Sequence, residues 1–167
     1  FGSGIGGMEV FERESIVLHE KGAKRVSPLF IPTMISNMAA GNLAIRYGLK
    51  GDCLNIVTAC STGTHCVGEA YRLIRFGLAD AALAGGTEEG ITNMSLAGFG
   101  NLGAITKSDD PMKAGLPFDA RRSGFVAGEG AGALVLESLE HAQARGANII
   151  AEITGFGSTG DAYHMTA

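Results

Sequence analysis

A chain of 167 residues is long enough for one domain with one sizeable core. Its formal net charge of −4 gives no basic surface for nucleic acid, and no apolar run approaches the roughly 18 residues of a membrane-spanning helix. Three cysteines at unpaired spacing, Cys53, Cys60 and Cys66, argue against a disulfide framework and fit a reducing cytoplasm, and without a second cluster beside His65 they argue against a metal site.

In chain order, residues 1–7 read as a strand end followed by a glycine turn. Gly2, Gly4 and Gly7 match GxGxxG formally, but no strand precedes them and no acidic strand end follows at the expected distance, so a tight turn is expected rather than a dinucleotide site. Residues 7–21 predict a surface helix carrying His19, 21–25 a short basic loop, and Pro28 with Pro32 a turn. Residues 34–47 have helical apolar spacing with Gly48 as cap. Residues 54–57 predict a buried strand, 64–76 an amphipathic helix closed by Gly77, and 81–84 a second strand ending in Gly85-Gly86-Thr87-Glu88. That order implies a right-handed parallel crossover and an α/β protein. Residues 93–105 are helical in part, 107–124 a polar loop, 132–137 a strand, 139–145 a short helix with His141 on its polar side, and 149–156 a last strand. The 26 glycines, about twice the usual share, cluster at the ends of apolar runs, where backbones pack closely around a site. The chain neither begins with Met nor ends on a terminating pattern, and reads as an internal piece of a longer protein.

Two residues separate Cys60 from the strand 54–57, and a helix opens just after it. Unpaired N–H groups and the helix dipole stabilise a thiolate there, and the same groups can hold an oxyanion. Ala59, Ser61 and Gly63 leave room for a substrate, and Thr62 or Thr64 can cap the helix. The elbow alone leaves two readings open, a nucleophile or a small core thiol. Cys53 and Cys66 lack the setting and read as structural. As partners, His19 and His141 read as solvated and His65 as turned from Cys60 or into the core. His164, after a glycine-rich strand end, could be a base, a pocket residue or a core histidine.

Four segments follow one another in order: VTACSTGTH (57–65), AGGTEEG (84–90), PFDARRSGFVAGEGAGALVLESLEHAQARGA (117–147) and ITGFGSTGDAYHMT (153–166). Together with the opening FGSGIGG they closely resemble the β-ketoacyl-[acyl carrier protein] synthases, particularly the type II elongating enzymes of bacterial fatty acid synthesis. The resemblance covers the whole chain and decides the Cys60 question in favour of the nucleophile.

The resemblance implies a thiolase fold, two similar halves in αβαβα layers, within a single ketosynthase domain. This chain would hold most of the first half and the first strand of the second, with the N-terminal strands and most of the C-terminal half lying elsewhere. It implies acyl transfer from the phosphopantetheine of acyl carrier protein to Cys60, then a decarboxylative Claisen condensation with malonyl-acyl carrier protein. No cofactor is bound by the enzyme itself. Two histidines in HGT-type and GH-type motifs stabilise the malonyl enolate in the family; neither motif occurs here, and the piece alone is expected to be inactive. By the same resemblance His164 stands near the mouth of the pantetheine tunnel rather than as the base, and Thr166 contacts the pantetheine. Ile5, the position controlling chain length, and Phe99 line the acyl pocket. Phe30 reaches the pocket of the partner subunit of a homodimer, and Lys24 and Arg25 dock the acidic carrier protein. Alternatives are the ketosynthase domain of a polyketide synthase, which usually shows a different pattern around the cysteine, and a catalytically silent relative, against which Cys60 argues.

Overall fold

The computed structural model describes residues 1–164, so Thr166 lies outside the described residues. Among the described residues seven α-helices and two strands follow in the order α1 (Met8–Lys21), α2 (Phe30–Met34), α3 (Met38–Tyr47), α4 (Thr62–Arg75), β1 (Ala81–Glu88), α5 (Asn93–Leu102), α6 (Pro111–Ala114), β2 (Gly130–Glu137) and α7 (Leu139–Ala144). Strands β1 and β2 form an antiparallel ladder, Ala81 opposite Glu137 and Glu88 opposite Gly130. Helix α4 packs across this ladder through a face of small buried residues, Thr62, Cys66, Gly68 and Ala70. At the closest point a side chain on Gly86 would stand 3.0 Å from the Gly63 Cα, so helix and strand touch backbone to backbone.

The expected strand at 54–57 forms no ladder among the described residues. The slot between it and β1 is held by Phe1–Ser3. The Phe1 amine donates to the Leu54 carbonyl at 3.1 Å and the Ser3 N–H to Asn55 Oδ1 at 3.2 Å. On the other side Gly2 bridges Gly86 in the parallel sense, donating to the Gly85 carbonyl at 3.1 Å and accepting the Thr87 N–H at 2.9 Å. Residues 54–57 and β1 thus share Phe1–Ser3 as a neighbour and do not pair directly with each other among the described residues. The strand expected at 149–156 is likewise unpaired among the described residues. It is tied to α4 instead, where Tyr71 donates to the Thr154 carbonyl at 3.4 Å and the Phe156 ring covers Gly68.

The helix expected over 34–47 is broken at Ile35, which takes extended backbone (φ −69°, ψ 137°). Gly7 N–H donates to the Met34 carbonyl at 2.8 Å, so the glycine loop occupies an acceptor that a continuous helix would use internally. Pro32 sits inside the short α2 rather than in a turn. The basic loop forms a 3₁₀ turn, Ala23–Arg25, and a short α6 interrupts the polar loop 107–124. Buried Glu14 of α1 accepts the Ser27 N–H at 2.8 Å just beyond the basic turn, and that hydrogen bond, with Arg13, holds its carboxyl below the usual range.

His141 is paired rather than merely solvated. Glu137, the last residue of β2, bonds His141 Nδ1 at 2.7 Å and Arg145 Nε at 2.8 Å, with a further contact to Arg145 Nη2. The Arg145 hydrogen bonds, seconded by His141, lower the Glu137 pKa from 4.5 to about 2. Because the folded value is depressed, the stabilisation is complete above about pH 4.5 and is lost as pH falls through about 2. A Glu137→Gln variant is therefore expected to unfold at lower urea than the unsubstituted protein at neutral pH, with the gap closing as the medium is acidified toward pH 2. A gap independent of pH would mean that the ionised Glu137 contributes nothing.

Candidate active site

The turn from residue 57 into α4 is built by two threonines. Thr58 N–H donates to Thr62 Oγ1 at 2.9 Å, and Thr62 is buried at 5% exposure. Thr62 thus closes the elbow from below; neither it nor Thr64 caps the helix, whose N-cap is Ser61 without a side-chain bond. Ala59–Ser61 forms a 3₁₀ turn that runs directly into α4, and Ser61 N–H donates to the Thr58 carbonyl at 3.0 Å. Ala59 takes φ +50°, a left-handed conformation that costs a non-glycine residue about 1–2 kcal/mol. The strain sits one residue before Cys60, which the turn leaves exposed.

Behind the elbow, His65 Nδ1 lies 2.6 Å from Thr58 Oγ1 and Nε2 lies 2.9 Å from Ser158 Oγ. Its ring meets Phe156 edge-on at 5.8 Å. His65 therefore joins the elbow to the segment after residue 149, a placement the sequence pattern does not reveal. Cys66 is buried against Gly2 and the Ile56 carbonyl as a structural thiol, whereas Cys53 is exposed.

A cavity of about 1260 Å³ opens in front of the elbow and brings together Cys60, Ile5 and Phe99. Phe99, from α5, meets Phe125 in a T-shaped contact at 5.3 Å and 81°. Phe125 also lines the cavity. It is held beside Ile105 because Gly124 takes φ +145°, where any side chain would strike the Ile105 backbone at 2.4 Å. Phe125 was legible only as part of the motif SGFVAGEG.

The glycine turn at 2–7 carries Ile5 to the cavity. Glu88, at the end of β1, accepts the Gly4 N–H at 2.7 Å and the Ser3 hydroxyl at 2.8 Å. Nothing in the spacing singles out Glu88; its only signal is an acidic residue closing an apolar strand after two glycines.

The remaining candidates among the described residues stand apart from this cavity. His164 does not line it and packs beside Tyr163, ring centroids 6.4 Å apart. Lys24 and Arg25 are exposed on the 3₁₀ turn, and Phe30 is half-buried with its ring 6.4 Å from Phe11.

Residues 1–142, which include the elbow, Ile5, Phe99 and Phe125, match the family described as beta-ketoacyl synthase, N-terminal domain. The chain belongs to the β-ketoacyl synthase family. It is 54% identical over 167 residues to a 3-oxoacyl-[acyl-carrier-protein] synthase 2 of Vibrio cholerae, covering 99% of this chain and 40% of that protein. It is 56% identical over 166 residues to the same-named enzyme of Staphylococcus aureus, covering 99% and 41%. The chain thus spans about 40% of the length of the curated relatives it matches. Among solved structures, a β-ketoacyl synthase of Burkholderia phymatum superposes with a TM-score of 0.87 at 39% identity, over 99% of this chain and 40% of that one. A type II polyketide ketosynthase bound to a hexaketide, in complex with its acyl-carrier protein, superposes equally at 0.87 with 34% identity, over 99% and 43%. The fold is that of the ketosynthases, a thiolase-like α/β fold.

Proposed function

We propose that the chain is part of a single ketosynthase domain of a β-ketoacyl-acyl carrier protein synthase, acting in fatty acid elongation. The observation that carries the reading is the exposed Cys60, on a strained turn at the start of α4, opening onto an apolar-lined cavity. The Cys60 sulfur attacks the thioester carbonyl of an acyl-phosphopantetheine. The pantetheine sulfur leaves, and the acyl group stays on Cys60. The Cys60 N–H, which makes no backbone hydrogen bond among the described residues, is available to the oxyanion of that step. Malonyl-acyl carrier protein then loses CO2. The carbanion attacks the acyl-Cys60 carbonyl, a carbon–carbon bond forms and the Cys60 sulfur is released.

The acyl chain runs into the cavity between Ile5 and the Phe99–Phe125 pair. Lys24 and Arg25 meet the acidic carrier protein, on a turn that Glu14 holds in place through Ser27. His164 and Thr166 bind pantetheine rather than take part in bond making. Large apolar side chains such as Ile150 (93% exposed) and Ile45 (79%) are surfaces that the rest of the domain, or the second subunit of a homodimer, would cover. Cytoplasmic location follows from acyl carrier protein as partner, and among the described residues no helix is long and apolar enough to cross a membrane. Fatty-acid rather than polyketide chemistry is favoured by identities of 54–56% to the former against 34% to the polyketide enzyme.

The test is mass spectrometry of the intact enzyme that carries this chain, after incubation with acyl-acyl carrier protein. The acyl mass is expected on the peptide holding Cys60, not on Cys53 or Cys66, and malonyl-acyl carrier protein should then discharge it. An acyl adduct on another residue, or none, would overturn the proposal.

A further inference from the structure

Glu88 closes β1 and turns its carboxyl group back onto the glycine loop. Oε1 accepts the Ser3 hydroxyl at 2.8 Å and, at longer range, the Ile5 N–H at 3.4 Å; Oε2 accepts the Gly4 N–H at 2.7 Å. Ser3, itself buried, passes the restraint on, because its Oγ accepts the Gly6 N–H at 2.8 Å. One carboxyl group thus holds three consecutive backbone N–H groups, two directly and one through Ser3. The loop it holds is pressed against the Cys60 elbow: a side chain on Gly4 would lie 2.8 Å from Glu88 Oε2 and 3.3 Å from the Ala59 carbonyl. Ile5, at the centre of that loop, projects into the cavity that Cys60 faces. Its Cδ1 lies where a side chain on Gly90 would come within 3.0 Å, so strand end and loop bound it on two sides.

We infer that Glu88 is a positioning residue for acyl-chain selection, fixing where Ile5 stands in the cavity and so which lengths of acyl chain Cys60 accepts. This rests on the reading of Cys60 as the acyl acceptor. Glu88 acts through Ile5 and exchanges no proton with the substrate. A loop held by three bonds presents a branched side chain at one fixed depth. With the bonds cut, the four glycines and one serine around Ile5 in residues 2–7 let it swing, and the cavity no longer discriminates by length.

The experiment measures kcat/KM for acyl transfer to Cys60 with short-chain and long-chain acyl-acyl carrier proteins, in the intact enzyme. Glu88→Ala is expected to change the long-to-short ratio by about tenfold, the discrimination that one pocket contact supplies. Glu88→Gln keeps an acceptor for the Gly4 N–H and a polar contact to Ser3, and should stay within about threefold of the unsubstituted ratio. In an Ile5→Ala background the effect of Glu88→Ala on the ratio should vanish, since the residue through which it acts is gone. A ratio unchanged by Glu88→Ala, or a change that persists in the Ile5→Ala background, overturns the inference. Should Glu88→Ala fail to fold, Ser3→Ala cuts only the relay to Gly6; a smaller shift in the ratio is expected, and an unchanged ratio overturns the inference. Failure of the unsubstituted enzyme to acylate Cys60 with any donor would overturn the functional reading, and the inference with it, whereas acylation with an unchanged ratio overturns the inference alone.

Discussion

Replacing Cys60 with alanine in the intact enzyme is expected to lower acyl transfer and condensation by at least about 10⁴-fold, because in the proposed function its sulfur is the atom that carries the acyl group. The same change should leave stability within about 0.5 kcal/mol, since the side chain is exposed and fills no part of the core. Cys66→Ala is the opposite case. Cys66 is 4% exposed, against Gly2 and the Ile56 carbonyl, so its loss opens a small void and costs about 1 kcal/mol. It should leave acyl transfer largely intact. The pair separates two uses of one residue type six positions apart on the same turn and helix. Activity in steady-state assays and unfolding in urea are the two readouts. A Cys60→Ala enzyme that keeps a tenth of its activity would return Cys60 to the class of structural thiols.

Helix periodicity carried much of the fold, because a helix satisfies its backbone within its own segment. Residues 7–21, 93–105 and 139–145 each announce a helix locally, and the structure places α1, α5 and α7 there within a few residues. Strands need a second segment, and two of them failed for that reason. Residues 54–57 and 149–156 have apolar, β-branched sequence, yet neither joins a ladder among the described residues; the first meets Phe1–Ser3 and the second α4. The break at Ile35 was equally invisible, since it comes from the distant Gly7 N–H taking the Met34 carbonyl. At the site, the place of Cys60 between an apolar run and a helix left nucleophile and core thiol both open, and what the structure adds is that the side chain is exposed. Ile5 and Phe99 were legible only through resemblance, and the structure sets both on the cavity that Cys60 faces. Glu88 and His65 act by hydrogen bonds between segments 84 and 93 residues apart, which no local pattern encodes.

Gly85→Ala is expected to destabilise the protein by about 3 kcal/mol, the upper end of what a single overpacked methyl usually costs. Gly85 lies in β1 opposite Ala133 of β2, and its neighbour across the ladder leaves it no space. A Cβ there would stand 2.0 Å from the Gly132 carbonyl oxygen, 2.8 Å from the Phe1 ring and 3.0 Å from the Ala133 Cα. Two of those three atoms are backbone and cannot rotate away, so the ladder itself must move. Its Gly85 carbonyl also accepts the Gly2 N–H, and Gly2 in turn accepts from Thr87. A displaced β1 therefore loosens the glycine loop that presents Ile5, and activity should fall together with stability. Gly51→Ala is the control, since no atom lies within 4 Å of a side chain at Gly51 and the residue sits on an exposed bend. It should stay within about 0.5 kcal/mol of the unsubstituted protein. The measurement is the urea midpoint of each variant at neutral pH. Equal midpoints for the two alanine variants would show that β1 and β2 can part at Gly85 without cost, and the close packing of α4, β1 and the glycine loop could not then be what holds the Cys60 elbow in place.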